Sequence, residues 1–391
     1  MAYQNNIRVL HRKEWQIMTP APAASAAGTF IIKDPLGIKR TTMFCVSATV
    51  HYLYATDEDA WMQVPSMALA GTWAVGACGC WIPWSNTLTA SGGTTLSLTT
   101  ATSIDAGAYG ETIRFLTGAN AGLERVCTGF LINPNSGSCT LTFSIALPNV
   151  VSAGDTFAVS SGRYVVLNAY TALAAGVIKT YDPLTGVVTS LGTTNLPASW
   201  GTDGKICGTP SYVGSYATGT ASSGGATTLT DVTKAWTVDQ WINYQIRITA
   251  GTGIGQIRTI TDSDATSVTV AAWTTPPDNT SVYAIEGNDD YLYLTGNGAV
   301  TLYRYSFSGA SWTVLNPSQA RAAAPSSGMS LNWAGKTGNA GWSNENVCLD
   351  GKYLYSFRGG STADLHRYNI PLNAWDTITY IGKQETFGSG S

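Results

Sequence analysis

The chain repeats itself, and that limits its fold more than any other feature. "TASGGTTLSL" (89–98) reads against "TASSGGATTL" (220–229), and "IRFLTGANAGLERV" (113–126) against "IRITAGTGIGQIRT" (246–259). At one constant offset Arg114 matches Arg247, Gly118 matches Gly251, Gly122 matches Gly255 and Arg125 matches Arg258. Farther on, "FAVSSGRYVVL" (157–167) meets "YAIEGNDDYLYL" (283–294). Such self-similarity marks one supersecondary unit used twice, here a β-unit of roughly seventy residues. The matched glycines lie between strand-like runs and no helical pattern follows. A phosphate would therefore find no helix N-terminus, and "TAGTGIGQIRTI" (249–260) is expected to be the turn of a β-hairpin. Asn120, in the place of Gly253, is expected to tolerate the same left-handed backbone.

A second repeat surrounds the first. "YLYLTGNGAVTLYRYSFSGASWTVLNP" (291–317) lines up with "YLYSFRGGSTADLHRYNIPLNAWDTIT" (353–379), and "YVVLNAYTALAAGVIKTYDPLTGVVTSLG" (164–192) is a weaker relative. "HYLYATDEDAWMQVPS" (51–66) reads as a shortened copy and "HRKEWQIMTP" (11–20) as the last strand of another. Runs such as Leu302, Tyr303, Arg304, Tyr305 alternate with period two, as a half-buried strand requires, and the turns of each copy carry Gly and Pro.

These residues carry two resemblances. The run from Ser-Gly-Gly through "AWTVDQWINYQIRITAGTGIGQIRTI" to "TVAAWTTPPDNTSVYAI" resembles a small β-module found repeatedly in tailed-bacteriophage virion proteins. The match covers 216–286 well and 87–160 less closely, because "SIDAGAYGE" lacks the counterparts of Trp236 and Trp241. The outer repeat resembles the kelch blade, with Tyr305/Trp312 and Tyr368/Trp375 as its Tyr and Trp pairs; the paired glycines of that blade are represented only by Gly359-Gly360. Together they imply an all-β fold: a kelch-like propeller or partial propeller of roughly five blade-like units, interrupted by two homologous small β-domains. The expected division is 1–86 (first blade-like units), 87–160 (first inserted module), 161–215 (blade-like segment), 216–288 (second inserted module) and 289–391 (C-terminal blades).

Composition narrows the function. Charged residues are 12% of the chain, hydrophobic residues 44%, and the net charge is −3. A chain so poor in basic charge is not expected to bind nucleic acid or be drawn to an anionic membrane. No apolar run is long enough to span a bilayer, so no membrane insertion is expected. "MAYQNNIRVLHRKEWQ" has no apolar signal region. The seven cysteines form no regular framework and are expected to be mostly free and buried. A hairpin around "NPNSG" would pair Cys127 with a residue near Thr142 rather than with Cys139, so no disulfide between those two is expected.

The chemical inventory is thin. His11, His51 and His366 stand in different repeats and read as structural. Asp57, Glu58 and Asp59 are consecutive, so on a strand they would not converge on one atom, and a solvated turn is expected. "DSDATS" (262–267) lacks the ligand count of a calcium loop and reads as a hairpin turn. Cys78-Gly-Cys80 has no second pair at a ligand spacing and reads as core. No catalytic residue, metal ligand or cofactor is therefore expected. Tryptophans in "GCWIPW" (Trp81, Trp84) and in the Gly/Asn-rich "MSLNWAGKTGNAGWSNEN" (Trp333, Trp342) are the candidate contacts. They either pack into a neighbouring subunit or stack on a host glycan.

The expectation is a non-enzymatic bacteriophage virion protein made in the host cytoplasm. It would assemble in multiple copies with itself and other virion proteins on the tail, collar or capsid surface. The alternative is a receptor-binding or glycan-binding appendage. A propeller enzyme rests on fold analogy alone.

Overall fold

The computed structural model describes residues 6–9, 15–18, 30–33, 41–45, 47, 49–55, 59–64, 67–70, 77–82, 86–104, 110–168, 173–198, 204–208, 217–286, 291–296, 300–317, 319–323, 332–333, 353–358, 364–370 and 372–378. Among them every regular element is a β-strand. The chain opens with an antiparallel pair, β1 (Asn6–Val9) and β2 (Trp15–Met18).

Four four-stranded antiparallel sheets follow. The first runs in chain order: β3 (Phe30–Lys33), β4 (Thr41–Cys45), β5 (His51–Ala55) and β6 (Ala60–Gln63). The second begins with β7 (Cys78–Ile82), and the chain then leaves it to build a complete six-stranded closed barrel. That barrel comprises β8 (Asn86–Gly93), β9 (Ser97–Thr100), β10 (Thr112–Phe115), β11 (Glu124–Ile132), β12 (Cys139–Phe143) and β13 (Thr156–Val159). The chain returns to finish the second sheet with β14 (Arg163–Leu167), β15 (Ile178–Tyr181) and β16 (Val188–Ser190).

The third sheet is interrupted at the same connection. After β17 (Gly204–Gly208) come β18 (Ala217–Thr220), β19 (Ser223–Gly224), β20 (Thr228–Thr230), β21 (Gln245–Ala250), β22 (Ile257–Ser263), β23 (Ser267–Val270) and β24 (Val282–Glu286). Then β25 (Tyr291–Gly296), β26 (Leu302–Ser306) and β27 (Ser311–Leu315) complete the sheet. The fourth sheet holds β28 (Asn332–Trp333), β29 (Tyr353–Phe357), β30 (Leu365–Asn369) and β31 (Ala374–Ile378).

Both inserted units share one strand order. The barrel runs β8-β13-β10-β11-β12-β9, and the second unit runs β18-β24-β21-β22-β23-β20-β19. The single β8 strand of the first copy bulges between Ala90 and Gly92, whereas in the second copy the equivalent strand is split into β18 and β19. A bulge bends a strand without ending it, which accounts for closure in one copy and an open order in the other.

The four sheets are stacked in sequence order. Ile32, Met43 and Leu53 of the first pack with Trp81, Tyr164, Val166 and Tyr181 of the second. The opposite face of the second, with Val165, Leu167 and Ile178, packs on Leu292, Leu294, Tyr305 and Trp312 of the third. Cys207, Tyr293 and Leu302 then meet Leu354, Tyr368 and Trp375 of the fourth. The first strands of successive sheets touch, β3 with β7, β7 with β17 and β17 with β28. Strands buried on both faces in this way read as continuous apolar runs, which is why "RYVVL" and "YLYL" do not alternate cleanly.

One residue pair recurs in these sheets. Tyr54 lies opposite Trp61, Tyr305 opposite Trp312 and Tyr368 opposite Trp375, each pair seven residues apart on the third and fourth strands. In the second sheet Tyr181 faces Val188 in the same register. The rings of Tyr305 and Trp312 are 5.1 Å apart and those of Tyr368 and Trp375 5.3 Å, both tilted by 52°.

Candidate interaction surface

The two inserted units meet through equivalent parts. Strands β10 and β21 place Arg114 and Arg247 at corresponding positions, and both guanidiniums are buried. The Arg114 Nε donates to Glu124 Oε1 at 2.7 Å and its Nη1 reaches Glu286 Oε2 at 3.4 Å. Arg247 donates from Nε and Nη2 to Glu286 Oε1 at 3.1 and 2.7 Å, and its Nη2 lies 3.7 Å from Glu124 Oε1. Each arginine therefore touches a carboxylate of both units. Two cations and two anions cancel, which is what permits four charges at a largely buried boundary.

The glycine turns meet at the same boundary. Antiparallel β21 and β22 are joined by a turn in which Gly251, Gly253 and Gly255 all have positive φ, as the hairpin reading requires. In the first copy Gly118 and Gly122 do the same, but Asn120 is not among the left-handed residues. The expectation for Asn120 is corrected: its Nδ2 donates to Asn149 O at 3.0 Å and its Oδ1 accepts from Asn149 N, so it ties down a loop instead of easing a turn. A Cβ on Gly255 would stand 2.2 Å from Leu116 O, and one on Gly122 2.7 Å from Ile254 Cδ1. Close approach of the two units thus needs glycine at positions the sequence marks only as turns. The other matched arginines are alike as well. Arg125 Nε donates to Ile145 O and Arg258 Nε to Ala272 O, both at 3.0 Å, each clamping the loop after its hairpin.

Exposed apolar side chains are more numerous on the first unit than on the second. Leu131 is 73% exposed and Ile145 66%, with Val126, Ile132 and Val150 also exposed. Leu131 and Ile132 sit at the end of β11, opposite Thr140 and Cys139.

The tryptophans singled out from sequence fall in different places. Trp81 lies on β7, buried in the core between the first and second sheets, where a Cβ on Gly162 would strike its ring. The backbone of Trp333 pairs with Leu354 on β28. Trp84 and Trp342 lie outside the described residues, as do His11, Asp57, Glu58 and the Gly359-Gly360 pair. Asp59 accepts the Tyr54 hydroxyl at 2.6 Å from a left-handed backbone. In "DSDATS" the Asp264 carboxylate accepts from the Thr266 and Ser267 amides, the turn expected there. His51 and His366 are buried on strands. None of the six described cysteines is in a disulfide; Cys127 lies opposite Phe143, one residue from the expected Thr142, and Cys139 opposite Ile132.

Neither a protein-family model nor a curated protein matches the sequence. Among solved structures, a structural-genomics protein of unknown function from Bacteroides thetaiotaomicron aligns at 12% identity over 78% of this chain, with a TM-score of 0.17. The phage phi92 endosialidase aligns at 15% identity over 87%, with a TM-score of 0.16. The chain spans 62% and 48% of those two chains, respectively.

Proposed function

We propose that the chain is a non-enzymatic bacteriophage virion structural protein, present in multiple copies on the particle surface. The stacked four-stranded sheets are read as blades of a kelch-like propeller or partial propeller, with β1 and β2 as part of a further blade. The two inserted units are read as paired modules carried by neighbouring blades. The observation that carries the assembly reading is the number of highly exposed apolar side chains on the first module, Leu131 and Ile145 foremost. Covering such side chains with another protein removes apolar area from water, and a chain with only 12% charged residues has little charge to desolvate at such a contact. The sequence likeness of residues 216–286 to phage virion modules supplies the setting.

Leu131→Asp tests this directly. It places a charge on the proposed contact without touching the core. Light scattering across a concentration series is expected to show multi-copy assembly of the natural protein and its loss in the variant. Assembly that persists unchanged in Leu131→Asp and in Ile145→Asp would remove this surface from the account.

A further inference from the structure

Trp312 and Trp375 hold one position in adjacent sheets, yet their indole groups differ in one respect. The Trp312 Nε1 donates to Gly192 O at 2.7 Å, on the segment that leaves the preceding sheet. The corresponding segment also reaches Trp375, whose backbone N donates to Gln319 O at 2.9 Å, while Asn373 Nδ2 donates to Asn316 O at 3.1 Å. Here, though, the segment brings Arg321 over the Trp375 ring, 5.0 Å from its centre. The Trp375 Nε1 has no acceptor among the described residues.

Arg321 is itself only 3% exposed. Its Nη2 donates to Ser356 Oγ at 2.8 Å, but Nε and Nη1 have no acceptor among the described residues. His366, directly opposite Ser356 in the sheet, is buried with both ring nitrogens unpartnered in the same sense. The Asp364 carboxylate is bound by Arg358 at 3.0 Å. Burial, and then Arg358, lower the Arg321 pKa to about 10, so it keeps its charge at neutral pH. Burial and the Arg321 charge hold His366 below its ordinary value, leaving it neutral. One buried cation and several N–H donors thus lie near one another without an acceptor among the described residues. Buried polar groups in folded proteins are almost always satisfied, and buried charges are paired.

We infer that a small anion is bound between the third and fourth sheets, accepting hydrogen bonds from Arg321 and the Trp375 indole beside His366. Among the described residues no carboxylate pairs with Arg321, so one bound negative charge balances it. The chemistry is a halide ion or a single carboxylate group, and it does not rest on the virion reading.

The test uses the full chain in a buffer whose only anion is a bulky sulfonate, titrated at constant ionic strength with bromide or with acetate. The melting temperature of the natural protein is expected to rise saturably with at least one of them, as binding to the folded state requires. A response to bromide alone identifies an inorganic ion, and a response to acetate a carboxylate subsite. Arg321→Met is expected to abolish the response. Should that variant not fold, Trp375→Phe keeps the ring, removes the donor, and is expected to raise the half-saturating concentration several-fold. A bromide-soaked crystal is expected to show an anomalous peak within hydrogen-bonding distance of Arg321. No saturable response to either anion, an equal response in the variants, or only water or a carboxylate of the chain itself against Arg321 would overturn the inference.

Discussion

Arg114 and Glu286 are 172 residues apart in the chain and meet at 3.4 Å, across the boundary between the two inserted units. Glu286 also holds Arg247, the counterpart of Arg114, so one carboxylate serves both copies of the same arginine. Removing one partner of a buried ion pair leaves an uncompensated charge, which costs about 3–5 kcal/mol. Glu286→Gln is therefore expected to lower stability by about 3 kcal/mol. Glu124→Gln should cost clearly less, because the Glu124 side chain is 39% exposed and water screens what remains. Urea unfolding of the two variants checks the order; equal losses would contradict the shared-carboxylate account.

The tryptophans of the recurring pair differ in burial, and their truncations should follow. Trp312 is 1% exposed and bonds Gly192 across the sheet boundary, so Trp312→Ala is expected to cost about 3–5 kcal/mol. Trp61, only partly buried, is expected to cost less than Trp312 when truncated. Thermal melts of both variants, alongside Trp375→Ala, measure it. An unchanged melting temperature for Trp312→Ala would remove the basis for treating the pair as core.

His51 predicts a dependence on acid. Burial pushes its pKa down from the usual 6.5 to about 4. The unfolded chain then binds a proton that the folded chain refuses, so stability is full above pH 6.5 and falls as the pH drops toward 4. The loss across this window is about 3 kcal/mol, at roughly 1.4 kcal/mol per unit. Urea midpoints at several pH values should trace it, and His51→Gln should flatten the curve between pH 6.5 and 4. A curve of the same slope in the variant would place the dependence elsewhere.

Some of this was legible in the sequence and some was not, for physical reasons. The hairpin turns were legible because a left-handed backbone demands glycine, and the two copies repeat the demand. The ion network was only half legible: Arg114 and Arg247 align, but Glu124 aligns with Ile257, so nothing local marks the carboxylates as partners. Tyr305/Trp312 and Tyr368/Trp375 stood out, and the same spacing of seven would have revealed Tyr54/Trp61. In the second sheet Val188 replaces the tryptophan and leaves no signal. Arg321 looks like an ordinary loop arginine in "QARAAAPSSG", because its burial is created by Ser356 and Trp375 of the following sheet, 35 or more residues farther on. Asn120 misled because a residue that tolerates positive φ does not have to adopt it.

The central claim is that this protein is a multi-copy part of a phage particle. Electron microscopy of purified particles, carrying gold-labelled antibody against this chain, tests it most directly. The account predicts label at a fixed, repeated position on the tail, collar or capsid surface. Particles that remain unlabelled while the protein is abundant in the infected-cell extract would contradict it.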